Sequence, residues 1–184
     1  VYLLSVAEAT ITVEAGDGDI TKSVPSLLRG FSAPVRLVTD ISRDELCHLI
    51  AHDTDPFNRY EAGQSLFQHN ITARLNGNAD EAAERQLADA LLALLGDASL
   101  RDDFKALALC VPSQVDSEQQ NRPADPLAIW QARHDVQASL GRSLRDEIND
   151  RLAVPDKLET AAQRSLQNRL LLLGCAADDA ASIG

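Results

Sequence analysis

The chain has 184 residues, 45% hydrophobic but only 4% aromatic, so Leu, Ala, Val and Ile must fill its core, a composition that favours helices. A net charge of -11 and a pI of about 4.7 argue against nucleic acid and anionic membranes as partners, since both are bound through basic surface. Cys47, Cys110 and Cys175 are far apart and read as reduced thiols of a cytoplasmic protein; no signal peptide is visible, and the longest apolar runs are too short to span a bilayer.

Residues 1–38 read as strand. In "ATITVEA" (9–15) Ile11 and Val13 alternate with Thr10, Thr12 and Glu14, the pattern of a half-buried strand. "GDGD" (16–19) is a turn, and "APVRLV" (33–38) a short strand with Pro34 at its edge. So few strands cannot close a sandwich by themselves. The sequence contains no Met and opens inside an apolar stretch, "VYLLSV", as an excerpt from a longer chain would.

From Ser42 the pattern turns helical. Ser42 and Glu45 form a capping box for a helix running to about His52. Asp55-Pro56 is an N-cap followed by Pro at the first helical position, and Asn76-Gly77 ends that second helix. A third helix is expected over 80–95, and a fourth, capped by Ser99, stops before Pro112. Residues 112–124 are polar and predict a loop. Asp125-Pro126 then starts one long helix whose Val136, Leu140, Leu144, Ile148 and Leu152 form an i,i+4 ladder until Val154-Pro155 breaks it. A last helix over 156–173 ends at Gly174, and "AADDAASIG" reads as the start of another. The fold class is therefore mainly α, an antiparallel helical array of solenoid type, preceded by a few strands of an incomplete β-sandwich. The domains expected are 1–38, the end of a sandwich, and 39–184, the start of a helical domain.

"CHLIAH" (47–52) places a Cys and two His within six residues. At about 100° per residue, His48 falls roughly 150° and His52 roughly 110° from the centre of the Leu46, Leu49, Ile50 face, on the wet side. The zinc peptidase motif H-E-x-x-H needs Glu as general base, and Leu49 occupies that position. Cys47 points about 100° away from His48 on the helix, so the three do not converge on one ion. His69 and His134 are isolated helix residues, and Trp130 is expected in the core. The charge runs 80–86 and 145–151 read as solvated helix faces.

"VPSLLRGFSAPVRL" (24–37) resembles the segment that ends the small β-sandwich domain of bacterial aminopeptidase N, a gluzincin zinc metallo-aminopeptidase. "DPFNRYEAGQSL" (55–66) resembles that family's first long helix after the sandwich, "DPLAIWQARHDVQASLGRSLRDEI" (125–148) its later Asp-Pro helix, and "AQRSLQNRLLLLGCA" (162–176) the helix that follows. The resemblance is collinear over about residues 24–177. It implies an enzyme that removes N-terminal residues from peptides with one zinc, held by an H-E-x-x-H helix and a more distant Glu. A Gly-x-Met-Glu-Asn-type segment would read the free amino group, and the helical domain would cover the cavity and limit which peptides enter. Neither motif occurs here, so no catalytic, cofactor-binding or metal residue is assigned to this chain. Zinc would belong to the parent enzyme, and the implied partners are the parent's catalytic domain and its peptide substrates. At the junction, Gly30 is expected to allow a tight bend, Phe31 to plug the interface and Pro34 to mark an edge strand.

The expected function is that of a non-catalytic, cytoplasmic piece of such a peptidase. The alternatives are a free-standing helical module that offers a groove to a partner protein, or a metal sensor built on Cys47, His48 and His52.

Overall fold

Helix signals in the sequence translate into a layered array of helices. The computed structural model describes residues 23–31, 39–153 and 160–182. The strands expected at 9–15 and 33–38, the side chains of Phe31 and Pro34, and the Val154-Pro155 break lie outside them.

Helix α1 (Arg43–His52) carries both halves of its capping box: the Ser42 hydroxyl accepts from the Glu45 N–H, and the Glu45 carboxylate accepts from the Ser42 N–H. Helix α2 (Pro56–Leu75) starts from the Asp55 cap with Pro at its first turn. Helix α3 (Glu81–Gly96) is capped by Asp80. Then come α4 (Asp102–Ala108), α5 (Gln114–Gln120), α6 (Pro126–Ser143), α7 (Arg145–Ala153) and α8 (Ala161–Ser182). A 3-10 turn, Arg29–Phe31, precedes them and packs on α2.

Several sequence expectations are corrected. Ser99 does not cap α4; its N–H and hydroxyl both donate to Asp97 in the preceding turn, and Arg101 starts the helix without a side-chain cap. The expected loop 112–124 contains α5, nucleated by Ser113, whose hydroxyl accepts from the Asp116 N–H. Its polar composition hid it, because a short helix needs only a cap and one packed face. The long helix from Pro126 divides at Leu144, although the ladder residues Val136, Leu140, Leu144 and Ile148 remain buried and Leu152 half-buried. Gly141 and Ser143, both weak helix formers, lie at the division. Gly174 does not end the last helix. Helix α8 runs through it to Ser182, so the expected extra helix is the same one. An isolated interior Gly costs about 1 kcal/mol, and the surrounding Leu and Ala residues favour continuation. Trp130 is 48% exposed rather than in the core and stands edge-on to His134.

The core is aliphatic. Leu66, Phe67 and Ile71 of α2 meet Leu87, Leu91, Leu94 and Leu95 of α3, and the cluster extends through Val136 and Leu140 of α6 to Leu166, Leu170 and Leu173 of α8. Helix α8 packs against α4, α6 and α7, while α2 and α3 both touch α6. At Gly141 the crossing of α6 and α8 is so close that a Cβ would lie 2.2 Å from the Leu173 carbonyl oxygen. Among the described residues no helix is long and apolar enough to cross a membrane.

Candidate functional site

A densely bonded polar region is the elbow between α1 and α2, where the segment 23–31 docks. Asp55 has two tasks there. One carboxylate oxygen caps α2 by accepting from the Phe57 N–H at 2.9 Å, and the other accepts from the Gly30 N–H. Gly30 adopts φ 64, ψ 25, in the left-handed region, which costs other residues about 1–2 kcal/mol. The bend expected there is therefore present. Leu28, with φ 53, adopts a left-handed backbone without that freedom, a strain that the docking contacts must hold in place.

Arg29 fastens the turn. Its Nη1 donates to Asp53 Oδ1 at 2.9 Å and to Ser26 Oγ at 2.7 Å, and its Nη2 donates to Thr54 Oγ1 at 2.6 Å. Asn58 Nδ2 donates to Ser26 Oγ at 2.8 Å, tying the same segment to α2. Burial opposes ionisation of Asp53, but the neighbouring Ser26 hydroxyl, the hydrogen bonds from the Asp55 N–H and Arg29, and the Arg29 charge outweigh it and hold its carboxyl below the usual range.

The inner side of the elbow is held by Arg59, which is 4% exposed. Its Nε and Nη2 donate to the Ile50 and Ala51 carbonyls at the C-terminal end of α1, at 2.8 and 3.2 Å, and its Nη1 pairs with Asp97 at 2.7 Å. Two hydrogen bonds from Ser99 and one from Arg59 keep the Asp97 carboxyl far below its usual range.

Two further depressions are polar. Arg74, Glu84 and Ser139 form a buried link between α2, α3 and α6, in which Arg74 grips the Glu84 carboxylate with two bonds of 2.7 and 2.8 Å and the Ser139 hydroxyl donates to the same carboxylate. Between α2 and α5 lies a groove of about 340 Å³, lined among others by Glu61, Gln64, Gln68, His69 and Asp116. Burial raises the Glu61 carboxyl, and burial with the nearby Arg43 lowers the His69 imidazole.

His48 and His52 are exposed on α1, with ring centroids 4.8 Å apart, and Cys47 is half-buried with its thiol toward the Gln86 carbonyl. Among the described residues no three His, Cys, Asp or Glu side chains are placed to hold a metal ion together. Cys47, His48 and His52 therefore do not form the three-ligand site that a metal sensor would need, and the zinc that the resemblance implies is expected in the parent enzyme's catalytic domain. The sequence reasoning did not find Arg29, Asp53, Arg59 or Gln68. The local signals near them were the bend expected at Gly30 and the Asp55-Pro56 cap.

These features define an ARM-type helical domain with a docked N-terminal strap. The chain belongs to the family described as domain of unknown function (DUF3458_C) ARM repeats, which matches residues 43–183. It is 40% identical over 146 residues to the Aminopeptidase N of Caulobacter vibrioides, covering 79% of this chain and 17% of that protein. It is 30% identical over 178 residues to the Aminopeptidase N of Escherichia coli, covering 92% of this chain and 20% of that protein. The crystal structure of Legionella pneumophila aminopeptidase A in complex with aspartic acid matches with a TM-score of 0.71 at 26% identity, over 84% of this chain and 20% of that one. The chain thus spans about a fifth of the length of these relatives.

Proposed function

We propose that this chain is a non-catalytic part of an aminopeptidase N-like zinc metallopeptidase that removes N-terminal residues from peptides. The helical domain covers the active-site cavity and limits which peptides enter. Its partner is the catalytic domain of the same parent chain, which supplies the zinc and the H-E-x-x-H helix, and the parent works in the cytoplasm. The segment before residue 39 belongs to the sandwich domain, and the strap 23–31 clamps that domain to the α1–α2 elbow.

The observation that carries this reading is the 40% identity to an Aminopeptidase N across 79% of the chain. The elbow supports it as well: Asp53, Asp55 and Asn58 tie Arg29, Gly30 and Ser26 of the strap to the start of the helical domain.

Two assays test it. The purified chain alone should not hydrolyse an aminoacyl-anilide, and chelator-sensitive turnover by this chain would refute the assignment. In the parent enzyme, removing the helical domain should raise kcat/KM for long peptides relative to short ones. An unchanged ratio would remove the gating role.

A further inference from the structure

His48 and His52 are four residues apart in α1, so their side chains leave one helix face a single turn from each other. Both are exposed, and their ring centroids lie 4.8 Å apart. Among the described residues no hydrogen bond engages either ring. A metal ion about 2.0 Å from one nitrogen of each imidazole stands about 3.2 Å from each centroid. Centroids at the observed separation then subtend about 100° at the ion, between the right angle of adjacent square-planar or octahedral positions and the angle of a tetrahedron. The backbone of α1 thus holds two imidazoles at the spacing of a chelate.

The pair opens onto a shallow depression between α1 and α3 of about 310 Å³, which Asp44, Cys47, Gln86 and Asp89 also line. Two carboxylates and no Lys or Arg line it, so its field favours a cation. Asp44, one turn before His48, and Asp89, across on α3, supply that field without completing a third ligand, since among the described residues no three such side chains are placed to hold an ion together. The Cys47 thiol points toward the Gln86 carbonyl, and burial pushes its pKa up, so it stays protonated and outside the chelate. Imidazole pairs select late transition metals, whereas Ca²⁺ and Mg²⁺ take oxygen ligands.

We propose that His48 and His52 chelate one divalent transition-metal ion, Cu²⁺ or Ni²⁺ ahead of Zn²⁺, with water in its other coordination positions. The ion bridges the last turn of α1 and steadies the helix end that leads into Asp53, the residue to which the Arg29 clasp is made. The chelate requires helical geometry, so binding favours the folded chain. The site is independent of the peptidase reading and stands whether or not the parent is an aminopeptidase.

The test is a calorimetric titration of the untagged 184-residue chain with nickel(II) chloride. One ion should bind per chain, and millimolar Mg²⁺ should not displace it. Cu²⁺ should bind more tightly and Zn²⁺ more weakly. His48→Gln and His52→Gln should each weaken binding about tenfold or more, because the second imidazole acts at high effective concentration. The double variant should bind no more weakly than the weaker single one. His134→Gln, on α6, should leave the affinity unchanged. Ni²⁺ should raise the thermal midpoint of the unsubstituted chain but not that of the double variant. No saturable binding at millimolar Ni²⁺ overturns the proposal, as does an affinity that survives either substitution. Displacement by Mg²⁺ overturns it too, because the carboxylates and not the imidazoles would then hold the ion. Should a variant not fold, the His48 and His52 ring resonances of the unsubstituted chain decide: substoichiometric Ni²⁺ should broaden both, and sharp signals refute the chelate.

Discussion

Arg59 shows how one buried cation can set the angle between two helices. Its guanidinium reaches the last carbonyls of α1, which have no intrahelical partner. Arg59→Met keeps most of the aliphatic volume but strands those carbonyls, and should cost about 3 kcal/mol. The urea midpoint should fall at unchanged m-value. A shift within error would mean that water replaces the guanidinium without loss. Asp53, on the outer side of the elbow, gives a pH-dependent readout. Its folded pKa lies below the unfolded one, so the Arg29 clasp contributes fully above the unfolded value of about 3.9 and is lost as pH falls through the lower folded value. The Asp55 amide, which donates to Asp53 Oδ1 at 2.8 Å, reports this titration by NMR. Its midpoint should lie below the ordinary aspartate value and rise toward it in Arg29→Ala. A midpoint at the ordinary value in the unsubstituted chain would show that the clasp is not formed in solution.

At the scale of elements, the closest approach is the crossing of α6 and α8. Gly141 has no Cβ to separate the helices, and the Leu173 carbonyl occupies the space one would need. Gly141→Ala should force the helices apart and destabilise the chain by about 3 kcal/mol despite the better helix propensity of Ala. Thermal unfolding measures this, and an unchanged or raised midpoint would refute the crossing. The packing of α8 on α6 and α7 explains two sequence misreadings. Gly141, inside an otherwise continuous ladder, gave no sign that its function is contact with α8, nor that the helix divides soon after it. Gly174 looked like a terminator because glycine usually follows a helix end. Here its surroundings in α8 are half-buried against Ile148, where an added Cβ would be only 3.7 Å from the Ile148 side chain. Packing of this kind holds a helix through a residue that local propensity would use to end it.

For the molecule as a whole, local signals were legible and distant ones were not. The capping box at Ser42 and Glu45, the Asp-Pro starts at 55 and 125 and the ladder from Val136 to Ile148 are each made by residues within a few turns of one another, and all are present in the structure. They were enough to determine a helical array and, through a collinear resemblance, its family. What only the tertiary structure decided are the partners: Gly30 with Asp55, 25 residues apart, Arg151 with the Leu95 carbonyl, 56 apart, and Gln68 with none among the described residues. Caps and periodicity depend on backbone geometry within a turn or two, which the neighbouring residues fix. Whether a distant carbonyl, carboxylate or amide finds its match depends on how whole helices settle against each other, and one-dimensional order carries no direct record of that.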